Sequence, residues 1–296
     1  INISKNLNYK IKFCDLNYDN GFFKIKDFIK KINKNTVAAV LTNMFNSYED
    51  TILIKNICRE KKIILIEDNA ISFDNYKIIK NRRIYTGSFG LYSLYSFNIM
   101  KNISALYGGG VATNDIDFTN FAVKEIDKYS NFPNFLLIKQ SIIFLLLKIL
   151  SVNFFYKIFF FKIVKYAHFK NNQFLLKIFY PSLKFRHKKF PNYYFTKISN
   201  TSKRLVYLQL RDLKSRNLNH KLRKSKNIYY NHEFKKREIN NIKLLPIKDF
   251  NFQNFIDFPV LVKGKANLNK FLLNKGIETR IIYYRNCNKI FNIQKF

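Results

Sequence analysis

The hydrophobic pattern of the first 115 residues alternates between two periods. Residues 36–41 (TVAAVL) form an apolar run of strand length, and residues 62–67 (KIILIE) form a second that leads into Asp68. Between them, residues 48–61 (YEDTILIKNICREK) place apolar side chains at helical spacing and carry both signs of charge elsewhere. Strand, amphipathic helix and buried strand predict a βαβ unit with a parallel sheet. Residues 91–97 and 111–113 predict further strands, with Gly108-Gly109-Gly110 as the turn between them. Glu49 and Asp50 fall in the first turn of the predicted helix, where acids suit the dipole. Ligands of such sheets lie beyond the carboxyl ends of the strands. Asp68 and the segment after Phe97 are both expected there.

The pattern then changes. Residues 136–166 (FLLIKQSIIFLLLKILSVNFFYKIFFFKIVK) are strongly apolar, yet Lys139, Lys148, Lys157 and Lys162 are dispersed through them. A membrane-crossing helix needs about 20 apolar residues with few or no charges, and this stretch never has that. Two readings stay open: a helix lying in a membrane interface with snorkelling lysines, or one or two buried core helices. Residues 199–230 read as one long basic helix with an apolar stripe at Leu205, Leu208, Leu213 and Leu218. Residues 258–262 predict a strand, 268–275 a helix closed by Gly276, and 278–284 another strand. The predicted organisation is a sheet domain over 1–135, a hydrophobic and basic helical insert over 136–198, a long basic helix over 199–234 and a small α+β domain over 235–296.

Composition sharpens this picture in places. The chain has 296 residues with 53 Lys plus Arg against 19 Asp plus Glu, a net charge of +34. Lys, Asn, Ile, Phe and Tyr are over-used together, so the lysine excess reads as compositional drift and not as a dedicated nucleic-acid surface. The 199–230 helix offers no Phe or Trp for base stacking. Hydrophobic residues make up 47% of the chain, which excludes a disordered protein. Cys14, Cys58 and Cys287 are too scattered for a disulfide framework or a CxxC metal site, and they suggest a reducing compartment. The four histidines form no HxxxH or HExxH pair, so no metal site is expected and most are placed on the surface.

Two short segments carry candidate chemistry. One is Ile66-Glu67-Asp68-Asn69-Ala70, an acidic pair closing a buried strand. The other runs from Tyr95-Ser96-Phe97 through Lys101-Asn102 to Gly108-Gly109-Gly110. Each is weak alone: a carboxylate at a strand end is more often a cap, and one lysine among 53 basic residues has little specificity. In order and inside a βαβ frame, they resemble the DegT/DnrJ/StrS family of sugar aminotransferases, which are pyridoxal-phosphate enzymes of the aspartate-aminotransferase fold. The family's "VIEDAAQA" stretch falls on residues 65–72, and "GDIGCFSFxxxKNLxxGEGG" falls on 90–97, Lys101-Asn102 and 108–110. Residues 13–17 sit where the family has "FVDID".

The resemblance implies an α/β fold of the pyridoxal-phosphate transferase type: a three-layer, mostly parallel sheet in the large domain, with a small α+β domain and the helical insert added. It implies that Lys101 bonds to the cofactor aldehyde and later moves the substrate proton, a job that needs a neutral amine. Asp68 would pair with the pyridine nitrogen, and Ser96 would donate to the cofactor phosphate. Ile71 stands near the phenolic oxygen where the family has Gln or His. A weaker match puts Phe195 and Lys197 where the family has Asn and Arg. The implied partners are a nucleotide-linked keto-sugar, an amino-acid donor such as glutamate and a second copy of the chain. The implied setting is cytoplasmic, with peripheral membrane contact through 136–166 if the interfacial reading holds. Family members carry a Gly-Thr/Ser segment and a stacking aromatic that would precede residue 1, and a last strand and helix that would follow residue 296. The sequence is therefore expected to be a fragment or a decayed, non-catalytic homologue that binds a membrane or partner. A sugar dehydratase of the same family would carry His in place of Lys101.

Overall fold

The computed structural model describes residues 3–4, 7–99, 101–179, 192–216, 218–237, 242–247, 249–252 and 257–279. Its contacts divide the chain into two compact units. One comprises Cys14–Leu137 and Phe195–Leu261; the other comprises Ile1–Phe13, Ile138–Tyr194 and Val262–Phe296.

The first unit holds the predicted βαβ core. It opens with helix α1 (Ile25–Lys31), strand β1 (Ala38–Thr42), helix α2 (Tyr48–Glu60) and strand β2 (Ile64–Asp68). β1 and β2 pair in parallel, with Thr42 opposite Asp68. A capping box starts α2: the Ser47 hydroxyl accepts the Asp50 amide, and the Asp50 carboxylate accepts the Ser47 amide. The acids thus stand in the first turn, as their position in the sequence predicts. The apolar face of α2, with Ile54 and Cys58, packs with Leu41, Ile63 and Leu65 against Phe22, Phe28, Phe89 and Phe252. Phe89 and Phe252 each meet the Tyr48 ring edge-on at 5.7 Å.

An antiparallel hairpin of β3 (Tyr76–Ile79) and β4 (Arg82–Tyr85), absent from the sequence prediction, lies between β2 and β5. Strand β5 (Tyr92–Ser96) returns parallel to β2, and β6 (Gly109–Thr113) pairs antiparallel with β5. The sheet order is β1-β2-β5-β6, parallel apart from that last pair. Here the sequence reading needs one correction. Only Gly108, at φ +113°, belongs to the connection: Gly109 and Gly110 are in β6, opposite Ser96 and Tyr95. A Cβ on Gly109 would come within 2.6 Å of the Tyr95 carbonyl oxygen, so the glycine serves close strand approach. Helix α3 (Ile116–Asp127) follows, capped by Asp115.

The 136–166 stretch forms helix α4 (Asn134–Leu150), a short helical turn (Asn153–Phe155), one π-type turn (Tyr156–Phe160) and helix α5 (Phe161–Phe169). Helix α6 (Gln173–Phe179) follows. Leu137 is the one buried residue of α4, while Val164 and Ala167 are buried in α5. The core-helix reading therefore does not describe α4. No single helix among the described residues is long and apolar enough to cross a membrane.

The predicted 199–230 helix appears as α7 (Asn200–Arg216) and α8 (Leu218–Lys236). Strands β7 (Ile242–Leu244) and β8 (Val260–Val262) form a two-stranded sheet. Helix α9 (Lys265–Asn274) ends as predicted, with Gly276 in the left-handed region at φ +83°. Most of the strand expected at 278–284 lies outside the described residues, as does Cys287.

Candidate active site

The chain order of β1, β2 and β5 puts three carboxyl ends side by side. β2 ends at Asp68, whose backbone carbonyl accepts the Asn43 amide just beyond β1. The next residue, Asn69, donates its amide to Leu94 of β5, and β5 ends at Ser96. The parallel register thus sets Asp68 and Ser96 at one sheet edge, as expected for ligand sites of open α/β sheets.

Lys101 reaches this edge from the loop between β5 and β6. The loop closes on itself: Phe97 donates its amide to Gly108, and Ala105 donates to Phe97. Ile103, Ala105 and Leu106 are buried beneath it. Three side chains from the long helices fix its path. Gln209 of α7 grips Ser104 twice, accepting its amide at 2.9 Å and donating to its carbonyl at 2.8 Å. Ser202 of α7 donates to the Ala105 carbonyl at 2.7 Å. Arg223 of α8 donates to Asn102 Oδ1 at 2.9 Å, and Asn102 in turn donates to the Phe73 carbonyl.

Electrostatics single out the lysine. Burial pushes the Lys101 amine below its ordinary value, and the negative charge of Asp68 opposes that shift. A partly buried amine with a lowered pKa, within electrostatic reach of a carboxylate, is suited to nucleophilic attack and to proton transfer. Asp68 Oδ1 accepts the Ala70 amide at 3.0 Å. Asp68, Ile71, Ser96 and Lys101 are all half-buried. Ile71 follows Asp68 on the same connection and brings no hydrogen-bonding group. Phe195 and Lys197 are engaged elsewhere: the Phe195 ring meets Tyr129 at 6.2 Å, and Lys197 pairs with Asp127 at 3.3 Å.

Sequence reasoning missed what lies under the edge. Glu67 is fully buried, and its carboxylate collects four donors: Asn43 Nδ2 at 2.7 Å and the amides of Gly87, Phe89 and Gly90 at 2.8, 2.6 and 2.7 Å. Asn43 also donates to Asn69 Oδ1 and accepts from Asn46, which donates to Thr51. This network locks the chain entering β5 to the ends of β1 and β2. Its signal was an acid at an inward position of an apolar strand, which must be satisfied internally. Its partners, however, are 20 or more residues away in sequence. Among the described residues no cluster of three His, Cys, Asp or Glu could hold a metal ion.

The mixed, mainly parallel sheet with helices that carries this edge is an α/β fold. Solved structures share it. The chain matches the aminotransferase TlmJ from Streptoalloteichus hindustanus with 15% identity and a TM-score of 0.62, over 99% of this chain and 64% of that one. It matches the E. coli GDP-4-keto-6-deoxy-D-mannose-3-dehydratase, solved with bound hydrated PLP, with 17% identity and a TM-score of 0.62, over 98% and 64%. It matches Helicobacter pylori PseC, an aminotransferase involved in pseudoaminic acid biosynthesis, with 16% identity and a TM-score of 0.58, over 100% and 66%. The chain thus spans about two thirds of the length of these proteins. A model of the DegT/DnrJ/EryC1/StrS aminotransferase family matches residues 1–124.

Proposed function

We propose that this chain belongs to a pyridoxal-phosphate-dependent enzyme that transfers an amino group from an amino acid, glutamate by preference, to a nucleotide-linked keto-sugar. Such a cytoplasmic enzyme, acting as a homodimer, would serve cell-surface polysaccharide or related glycan synthesis. The observation that carries the reading is the placement of Lys101, with its depressed amine pKa, within electrostatic reach of Asp68 at the carboxyl edge of β2 and β5.

The residues at that edge fit the cofactor. When bound, it supplies an aldehyde carbon and an electron-withdrawing ring. Asp68 would hold a proton on the ring nitrogen through a charge-assisted hydrogen bond. Ser96 would donate its hydroxyl to the phosphate. Lys101 would be the residue that holds the cofactor's aldehyde carbon, and its neutral amine would take and return the substrate proton. The loop anchors Ser202, Gln209 and Arg223 would hold that amine in position. Ile71 would contribute packing alone. Lys101 itself favours amino transfer over the dehydratase chemistry of related enzymes, since those carry His at this position.

The test is chemical trapping in the complete protein. The protein is incubated with pyridoxal phosphate, reduced with borohydride and digested, and the peptides are analysed by mass spectrometry. The expected result is cofactor mass on Lys101, lost in Lys101→Ala, together with glutamate-dependent amination of a keto-sugar nucleotide. Labelling spread over surface lysines, with Lys101 unmodified in a folded protein, would remove the proposal and leave the non-catalytic homologue.

A further inference from the structure

Helix α4 breaks the rule that an apolar surface of a water-soluble domain is covered. Ile142, Ile143, Phe144, Leu145 and Leu146 are consecutive and are 54%, 38%, 43%, 57% and 52% exposed. At about 100° per residue, five consecutive positions sweep the whole circumference of a helix. The middle of α4 is therefore exposed in part on every side. The exposed apolar surface continues through Phe154, Phe159 and Phe174. An area of this kind marks an interaction site.

Charge narrows the partner. The unit made of Ile1–Phe13, Ile138–Tyr194 and Val262–Phe296 carries 22 Lys plus Arg and a single acid, Glu278. The rest of the chain holds 31 and 18. Compositional drift raises lysine everywhere, but it does not strip acids from one unit. Glu278 is itself engaged, accepting the Tyr156 hydroxyl at 2.6 Å. Within 134–179 there are seven lysines and no acid, and Lys139, Lys148, Lys157, Lys162 and Lys170 are exposed among the apolar side chains.

From this juxtaposition we infer that α4–α6 is a membrane-docking surface that inserts into one leaflet of an anionic bilayer. An anionic lipid surface is the partner that satisfies both features at once, taking up apolar side chains while pairing with lysine ammonium groups at headgroup level. No single helix among the described residues is long and apolar enough to span, and the lysine spacing favours a shallow seat. Lys139, Lys148 and Lys157 recur every nine residues, so the lysine-free windows between them are eight residues long, about 12 Å of helix against a hydrocarbon core of about 30 Å. The 79° bend between Asn134–Leu150 and Asn153–Phe169 turns the pair into a shallow wedge. The inference does not depend on the proposed enzymatic activity.

Flotation of the complete protein with vesicles tests it. The probes are vesicles of phosphatidylcholine alone and of phosphatidylcholine with phosphatidylglycerol, at low and high salt. The expected result is co-flotation with the anionic vesicles, weakening with salt. Partitioning should fall by about tenfold or more in the variant Lys139→Gln/Lys148→Gln/Lys157→Gln. It should also fall in Ile142→Asp/Leu145→Asp/Phe159→Asp. Circular dichroism reports whether each variant remains folded. Protein that stays at the bottom of the gradient with anionic vesicles at low salt overturns the inference. So does a change of oligomeric state in the Asp variant with flotation unaltered, which would assign the surface to a second copy of the chain.

Discussion

Replacing Glu67 with Gln changes one atom at the best-connected buried position of the sheet edge. The two carboxylate oxygens divide four donors: Oε1 serves the Phe89 and Gly90 amides, and Oε2 serves Asn43 and the Gly87 amide. An amide group at this site turns one acceptor into a donor, whichever way it is oriented. Two buried donors then face a third. Hydrogen bonds to a charged group contribute about 1.5–3 kcal/mol each, so losing two costs about 3–6 kcal/mol. That is a large part of the roughly 5–15 kcal/mol that stabilises a whole domain. The assay is urea unfolding followed by far-ultraviolet circular dichroism, read as a lower midpoint at unchanged slope. Glu67→Leu should cost at least as much, since it leaves three backbone amides and one Asn43 N–H with no acceptor. A loss below about 1 kcal/mol for Glu67→Gln would refute the reasoning, because solvent or a rearranged loop would then be satisfying those donors.

Two further outcomes follow from the same edge. Burial lowers the Lys101 pKa, so between that lowered value and the unfolded value the unfolded chain binds more protons than the folded one, and stability rises with pH through this window. Lys101→Met removes the term: the cofactor-free variant should melt higher than the parent at neutral pH and lose that advantage as pH approaches the ordinary lysine value, and parallel pH curves for the two proteins would contradict this. Gln209→Leu strips both partners from the Ser104 backbone, costing about 2–4 kcal/mol. Amide hydrogen exchange at Ser104 should accelerate markedly, while unchanged protection would show that Gln209 does not anchor the lysine loop.

Local features were legible in the chain. The two apolar runs and the amphipathic segment between them made β1, α2 and β2 readable, and Ser47 with Asp50 wrote the cap of that helix. Asp68 and Lys101 were legible because their spacing sits in a motif. The hairpin at β3–β4 was not, because short strands with mixed polarity look like loop. The glycine run was legible as a turn only at Gly108, which takes a positive φ; Gly109 carries the same letter because a strand approaches it closely, and the Tyr95 carbonyl tells the two apart.

The sequence by itself determined which residues must be covered and which could react. It placed a carboxylate, a hydroxyl and a lysine in order along an α/β pattern, and it marked 136–166 as apolar and basic together. Only the tertiary structure decided what those residues meet. It brought Lys101 to Asp68 and anchored its loop to Ser202, Gln209 and Arg223, more than 95 residues further along the chain. It also showed the middle of α4 exposed around its circumference. The physical reason is common to these cases. Periodicity encodes the local burial preference of each side chain, whereas hydrogen-bond partners and the covering of a face depend on which distant segments arrive beside it.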